Sequence, residues 1–380
     1  MNWVAWKMLT GDRSKYLGIV FGIAFAALLM GQQASIFCGL MLNTTSQIRD
    51  VQGADIWVMD PNVQFIDDLK PLSDNDLYRV RGVPGVEWAV RLYKGLTRAR
   101  LDNGNFQQVI LLGLDDTTLV GAPREIIVGS LADLRTPDAV IMDEAGYHYL
   151  WPNEPLAAGK VLEMNDRRAV IVGVCKASPT FQTFPIVYSR YSQACMYVPR
   201  ERKVLSFVLA QNEPGVSVEE VCHRIHEQTG LQALHRDEFF WKTINYFLRR
   251  TGIPINFGIT VALGFFVGSA IAGQTFYLFT IENLKQFGSL KAMGVSNSRI
   301  VGMILLQASL VGVIGYGIGI GMASLFGIVM KVMTKGIPPA FYMPWQILVG
   351  TAAAVVVIAM IASLLSIRKV LVLEPAIVFK

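Results

Sequence analysis

Four long runs without a charged side chain set the limits on this fold: residues 16–42, 253–280, 300–330 and 345–367. Each exceeds the roughly 20 apolar residues that a helix needs to cross a bilayer. In lipid the backbone polar groups of a single such run are satisfied only within an α-helix. Composition agrees, with 52% hydrophobic and only 17% charged residues, against about a quarter charged in soluble domains. The expected fold class is a membrane α-helical protein of four transmembrane helices, with a large α+β extracytoplasmic domain inserted between helices 1 and 2.

The boundaries follow from the runs. Residues 1–42 are expected to hold an N-terminal interfacial helix and the first span, and 43–250 the inserted domain. The second span falls in 251–280, a cytoplasmic coupling helix or loop in 281–299, and the third span in 300–333. A short outer loop (334–344), the fourth span (345–367) and a cytoplasmic tail (368–380) complete the chain. The first run is about twice a signal-peptide core and lacks a small-x-small cleavage site, so a retained anchor is expected. Trp3 to Leu17 mixes aromatic, aliphatic and basic side chains, as helices lying on a membrane surface do.

Orientation follows from basic residues. Lys7, Arg13, Lys15, Lys285, Lys291, Arg299, Arg368, Lys369 and Lys380 flank one side. Lys331 and Lys335, with Arg49, Arg249 and Arg250, flank the other. Both termini are expected in the cytoplasm of a multi-pass protein of the cell inner membrane. The net charge of +5 and the absence of a dense Lys/Arg stripe argue against nucleic acid as a partner.

Within the insert, residues 92–101 and 106–114 flank Asn103-Gly104, a hairpin signal, and residues 161–164 and 169–174 flank Asn165-Asp166, a second. Ser73 with Asp74 and Asp76 opens a short helix that Val83-Pro84-Gly85-Val86 ends. Ser217 with Glu219 and Glu220 caps another, which Gly230 stops. Residues 237–248 are expected to form a helix running straight into the second span. Cys38 reads as a small lipid-buried hydrophobe. Cys175, Cys195 and Cys222 are an odd number, so they cannot all pair; free buried thiols are expected, with a Cys175–Cys195 bridge left open.

No phosphate-binding G-x-x-x-x-G-K-[ST] run, G-x-S-x-G elbow or H-E-x-x-H motif occurs, so the chain shows no engine, catalytic residue or cofactor site of its own. His223 and His226, beside Cys222 and with His235 further on, have metal-compatible helical spacing. No partner motif accompanies them, and a polar helix face is the preferred reading. Gly264 with Gly268, Gly315 with Gly319, and Gly317 with Gly321 are small-xxx-small pairs, read as tight packing within the bundle before a subunit interface. Gln32, Gln33, Gln274 and Gln307 are expected to face other helices, and no intramembrane carboxylate or Lys marks an ion pathway.

The most informative stretch joins spans two and three. Leu284, Phe287 and Leu290 form a thin apolar stripe, Lys285 and Lys291 lie off it, Gly294 breaks the helix, and Ser296 or Asn297 caps the next. Such a helix is either a handle for a soluble partner or a plain connection. Its wording, Gln286-Phe287-Gly288-Ser289-Leu290-Lys291-Ala292-Met293-Gly294-Val295-Ser296, resembles the signature of the MacB/FtsX-like permease family of ABC transporters, closest to the DevC-like branch. Gln286 stands where the pattern has Glu. The order of one span, a large insert and three spans is similar to that family. So are residues 72–86 with their Pro-Gly-Val turn, the 159–174 hairpin and Glu374-Pro375-Ala376.

The resemblance implies a non-catalytic permease subunit that works as a dimer with a separate ABC ATPase. The ATPase would grip a coupling segment of Glu282, Lys285, Gln286, Phe287, Leu290, Lys291, Ala292, Met293 and Gly294. Motion would pass to the extracytoplasmic domain to export a lipid, lipoprotein, peptide or small toxic molecule, with a periplasmic adaptor and an outer-membrane channel as companions. A signalling relative that switches an envelope hydrolase, or an anchored receptor with no ATPase, are the alternatives.

Overall fold

The computed structural model describes residues 2–199, 205–334 and 340–372. Lys335, Lys380 and Glu374-Pro375-Ala376 therefore lie outside the described residues. The chain divides into two compact units, one holding the long helices and one built on residues 40–251.

The helical unit opens with α1 (Asn2–Gly11) and α2 (Arg13–Thr44), then resumes with α9 (Ile253–Glu282), α10 (Leu284–Ala292), α11 (Asn297–Met333) and α12 (Trp345–Leu371). Helices α2, α9, α11 and α12 are long and apolar enough to cross a membrane. Glycine sets how closely they meet. A Cβ on Gly268 would sit 2.2 Å from Ala26 Cβ, and one on Gly264 3.1 Å from Leu29 Cβ, so α9 lies almost backbone to backbone on α2. Gly315 and Gly319 do the same for α11, their added Cβ atoms falling 2.8 Å from Ile23 Cβ and 2.4 Å from Ala24 O. Helix α12 packs on α9, and the Tyr316 hydroxyl donates to Leu348 O at 3.0 Å to tie α11 to α12. The four helices thus close a ring.

Not every small residue serves that ring. Gly317 and Gly321 are exposed, with nothing near their missing Cβ atoms. Of the glutamines, Gln307 is fully buried and Gln32 and Gln33 are half-buried, but Gln274 lies on the exposed face of α9. The expectation that all four face neighbouring helices is corrected for Gln274. The reason is its position: Ala272, Gly273 and Phe276 occupy the buried side of α9 at that level.

The second unit carries α3 (Ser46–Asp50), α4 (Asp74–Arg81), α5 (Glu144–Leu150), α6 (Tyr191–Ala194), α7 (Val218–Thr229) and α8 (Arg236–Arg250). Its strands are β1 (Ile56–Met59), β2 (Val86–Arg100), β3 (Phe106–Leu114), β4 (Glu125–Val128), β5 (Ala139–Asp143), β6 (Val161–Met164), β7 (Arg167–Lys176), β8 (Ile186–Arg190), β9 (Phe207–Asn212) and β10 (Gln232–His235). They form one mixed sheet in the order β10-β1-β9-β2-β3-β8-β5-β7-β4, with β6 pairing to β2 and β7. The β3/β8 and β5/β7 pairs are parallel.

Side chains alternate between two apolar layers. Ile56, Val58, Val208 and Ala210 enter one; Trp57, Met59, Phe207 and Leu209 enter the other. Burial on both faces explains why β1, β5 and β9 read as continuous apolar runs rather than alternating ones. Asp143 at the end of β5 and Lys94 of β2 are buried in this sheet; Lys94, 4% exposed, pairs with Asp67 and donates to Ile66 O at 3.1 Å. Burial pulls its ammonium down and the Asp67 carboxylate opposes that. The ordinary composition of β2 carried no signal for it.

Both hairpins are present with different turns. Asn165 and Asp166 both take positive φ, the type I′ geometry. At Asn103-Gly104 a two-residue turn is replaced by a three-residue loop: Gly104 N donates to Leu101 O, Leu101 N to Asn105 O, and Gly104 takes the left-handed conformation. Ser73 N–H donates to Asp76 Oδ2 at 2.9 Å and Ser217 Oγ accepts from Glu220 N at 3.1 Å, the N-caps of α4 and α7. Helix α8 does not continue into α9. It stops at Arg250, and Thr251 is extended. Pro254, in the first turn of α9, has no N–H for the Arg250 carbonyl and crowds it, so the chain must restart. None of the four cysteines is in a disulfide, and burial pushes the Cys222 thiol up to about 12.

Candidate functional site: the connector between α9 and α11

Helix α10 is built from a turn that closes α9, a buried stripe and a glycine stop. Asn283, in the turn after α9, folds back, its amide donating to Phe279 O at 2.8 Å. Phe287 is fully buried, in the same apolar cluster as Leu9, Ile300 and Ile304. Gly288 is buried beside it, and Leu284 and Leu290 are half-buried. At the far end Gly294 N donates to Lys291 O at 2.9 Å and Val295 N to Leu290 O at 3.1 Å, with Gly294 at φ +85°. These two bonds close a Schellman motif, which needs a left-handed residue at that position. Helix α11 then starts at Asn297, with Ser296 O accepting from Arg299 N and Ile300 N.

The opposite face is open. Glu282, Lys285, Gln286, Ser289, Ala292, Met293 and Gly294 are exposed, and Met293 has 72% of its surface free. Two of the charges on the connector are already engaged within the chain. Glu282 pairs with Lys15, which also holds Asp12 at 2.8 Å, so the end of α9 is tied to the start of α2. Lys291 Nζ donates to Val370 O at 2.9 Å and Leu371 O at 3.1 Å, capping the C-terminus of α12. A cation there also suits the helix dipole.

Helix α1 completes the region. Ala5 and Leu9, one turn apart, are buried, while Trp3 and Trp6 are exposed. Gln307 Nε2 donates to Ala5 O at 2.9 Å, locking α1 to α11. An open hollow of 540 Å³ lies between α1 and α10, lined in part by Trp3, Lys7, Asp12, Glu282 and Gln286. The docking of α1 and the two charge ties escaped sequence reasoning. Only the Ala5/Leu9 spacing hinted at the first, and nothing local announces a partner 79 or 267 residues away.

Elsewhere, His226 Nδ1 lies 2.9 Å from Leu231 O and His223 faces Glu227 at 3.4 Å. The helix thus turns these imidazoles to neighbours of its own. Among the described residues no group of His, Cys, Asp and Glu is placed to hold a metal.

Residues 16–228 match the MacB-like periplasmic core domain, and residues 258–375 match the FtsX-like permease C-terminal domain. The uncharacterized ABC transporter permease Rv2563 of Mycobacterium tuberculosis is 28% identical over 121 residues. That match covers 32% of this chain and 33% of the relative, so it spans about a third of that protein. A second uncharacterized ABC transporter permease of M. tuberculosis, Rv0072, is 23% identical over 334 residues, covering 87% of this chain and 85% of its own. The periplasmic region of MacB from Actinobacillus actinomycetemcomitans is similar at 15% identity and a TM-score of 0.38, over 54% of this chain and 96% of that one.

Four membrane-crossing helices with a large insert after the first define an integral membrane protein of permease architecture. The chain belongs to the MacB/FtsX-like family of ABC transporter permeases.

Proposed function

We propose that the chain is the permease subunit of an ABC transporter whose separate ATPase subunit grips α10. The motion passes through the helix ring to the inserted domain, which acts outside the membrane to export or extrude a lipid, lipoprotein, peptide or small toxic molecule. The observation that carries this reading is the two-sidedness of α10. Its outer face offers Lys285, Gln286 and Met293, while Phe287 on its inner face joins the apolar cluster of α1 and α11. A push on the exposed face must therefore move the ends of the spans.

The basic residues at the α10 end of the bundle, Lys7, Arg13, Lys15, Lys285, Arg299 and Lys369, favour that end in the cytoplasm of the inner membrane. A second permease copy is supported by Gln274. Its amide lies exposed within an otherwise apolar run, where lipid offers no hydrogen-bond partner. A periplasmic adaptor and an outer-membrane channel would then extend the path beyond the inserted domain.

Capture in mild detergent with mass spectrometry is expected to recover an ATPase subunit. Lys285→Glu should weaken that capture about tenfold, a coupling of roughly 1.4 kcal/mol, at unchanged thermal stability. Unaltered capture by this variant, or labelling of α10 from outside the membrane, would remove α10 as the contact. Lys291→Glu is the poorer test, because it also sets a carboxylate against the α12 carbonyls.

A further inference from the structure

The chain enters the inserted unit through α3 and leaves it through α8. These two helices pack on each other, and one loop, residues 177–185 between β7 and β8, holds both. The Asp50 carboxylate, at the end of α3, accepts from Ser178 N and from Ser178 Oγ, each at 2.7 Å. The Phe181 ring lies 5.2 Å from that of Phe247, in the last turn of α8. Phe247 is 6% exposed and also meets Phe65 at 5.4 Å. Arg49, next to Asp50, receives the Arg124 guanidinium on its carbonyl, which adds the start of β4 to the same contact.

We infer that Asp50, Ser178, Phe181 and Phe247 form the clamp through which relative movement of the first two spans reaches the sheet. The inference rests on the relay proposed above and names the residues that would carry it. Paired hydrogen bonds to a carboxylate are directional and strong, so a displacement of Asp50 drags Ser178 with it. Packed rings resist compression, so a displacement of Phe247 toward the loop pushes Phe181. Strands β7 and β8 both pair with β5, and Ile186 N, the first amide of β8, donates to Asp143 Oδ1 at 2.6 Å. A pull on the loop therefore acts on inner strands of the sheet.

The four residues are positioning residues, and hydrogen exchange tests them on the full chain in nanodiscs with its co-purified ATPase. Peptides covering 284–292 and 177–185 are compared without nucleotide and with ATP plus vanadate. In the wild type both segments are expected to change exchange rate. In an Asp50→Ala/Phe181→Ala variant the change at 177–185 should fall about fivefold while that at 284–292 persists. Ser178→Thr, which keeps the hydroxyl, should retain the wild-type response. Leu162→Ala, a core truncation away from the clamp, should lower stability without altering it. An undiminished loop response in the double variant, or a loop that stays silent while α10 responds, overturns the clamp. A silent α10 in the wild type overturns the relay itself, and the clamp with it.

Discussion

In the helical unit, buried hydroxyls bond to their own helix: Ser35 Oγ to Gly31 O at 2.6 Å, Thr280 Oγ1 to Phe276 O at 2.9 Å, Ser366 Oγ to Ala362 O at 3.4 Å. In the inserted unit, buried polar groups reach across the chain. Lys94 meets Asp67, Ser206 Oγ donates to Lys94 O at 2.9 Å, and Asp143 joins Gly146 N at 2.9 Å to Ile186 N at 2.6 Å. The bundle helices thus satisfy these hydroxyls internally and meet through close-packed glycines, with a few polar ties between them: Tyr316 to Leu348 O, Gln307 to Ala5 O and Lys291 to Val370 O. Repositioning them breaks few polar bonds. The insert is cross-tied, so deforming it costs many bonds at once. Glycine serves close approach between helices at Gly268, Gly315 and Gly319 in the bundle, and in the insert it serves both close approach, as at Gly113 and Gly173, and left-handed turns, as at Gly104.

If shape holds the bundle, the largest effect should come from adding volume where α2 and α9 touch. Gly268→Val is expected to cost about 3 kcal/mol or to prevent assembly, because the nearest neighbour is backbone-bound Ala26 with little room to yield. Thermal unfolding in detergent measures it, and a neutral result would break the comparison.

The insert should instead answer to charge. Burial lifts the Asp143 carboxyl from 3.8 to about 6, so the folded chain holds a proton that the unfolded chain releases. The stability this adds is complete below pH 3.8 and is lost as pH rises to about 6. The span is up to about 3 kcal/mol. The difference in unfolding free energy between wild type and Asp143→Asn should therefore drift over that window. A flat difference would place the carboxylate in a better-solvated site.

Gly294→Ala should cost about 1 kcal/mol, as a left-handed Schellman turn and not as a contact, since nothing lies near its missing Cβ. Loss of α10 order in its exchange profile would report it. Gly317→Ala, a helical glycine with open space around it, should stay within about 0.5 kcal/mol of neutral. Parity between Gly317→Ala and Gly268→Val would mean that α2 is not where the bundle makes its closest contacts.

What was legible in the chain follows from range. The four spans, the caps at Ser73 and Ser217 and both hairpin positions rest on neighbours a few residues apart, and uncharged run length, cap residues and turn dipeptides find them. The family wording around Phe287 and Gly294 located the connector for the same reason. The break at Thr251 was missed because the apolar pattern of α8 runs up to a proline whose weight was not counted. Lys291 read as a surface charge, yet it caps α12, a partner that only the closed ring brings near. The Lys94–Asp67 pair and the Asp50–Ser178 bonds join residues 27 and 128 apart, and no local rule reports such distances.

Helix α11 runs for 37 residues, about 55 Å at 1.5 Å per residue, against a hydrocarbon layer of about 30 Å. Even a 40° lean would leave roughly 42 Å along the normal. Its surplus turns can slide into or out of the oily layer as thickness varies, so the protein should be indifferent to acyl-chain length. Reconstitution in short- and long-tailed phosphatidylcholines should give level melting temperatures, and a sharp optimum at one thickness would show that some other element is setting the depth.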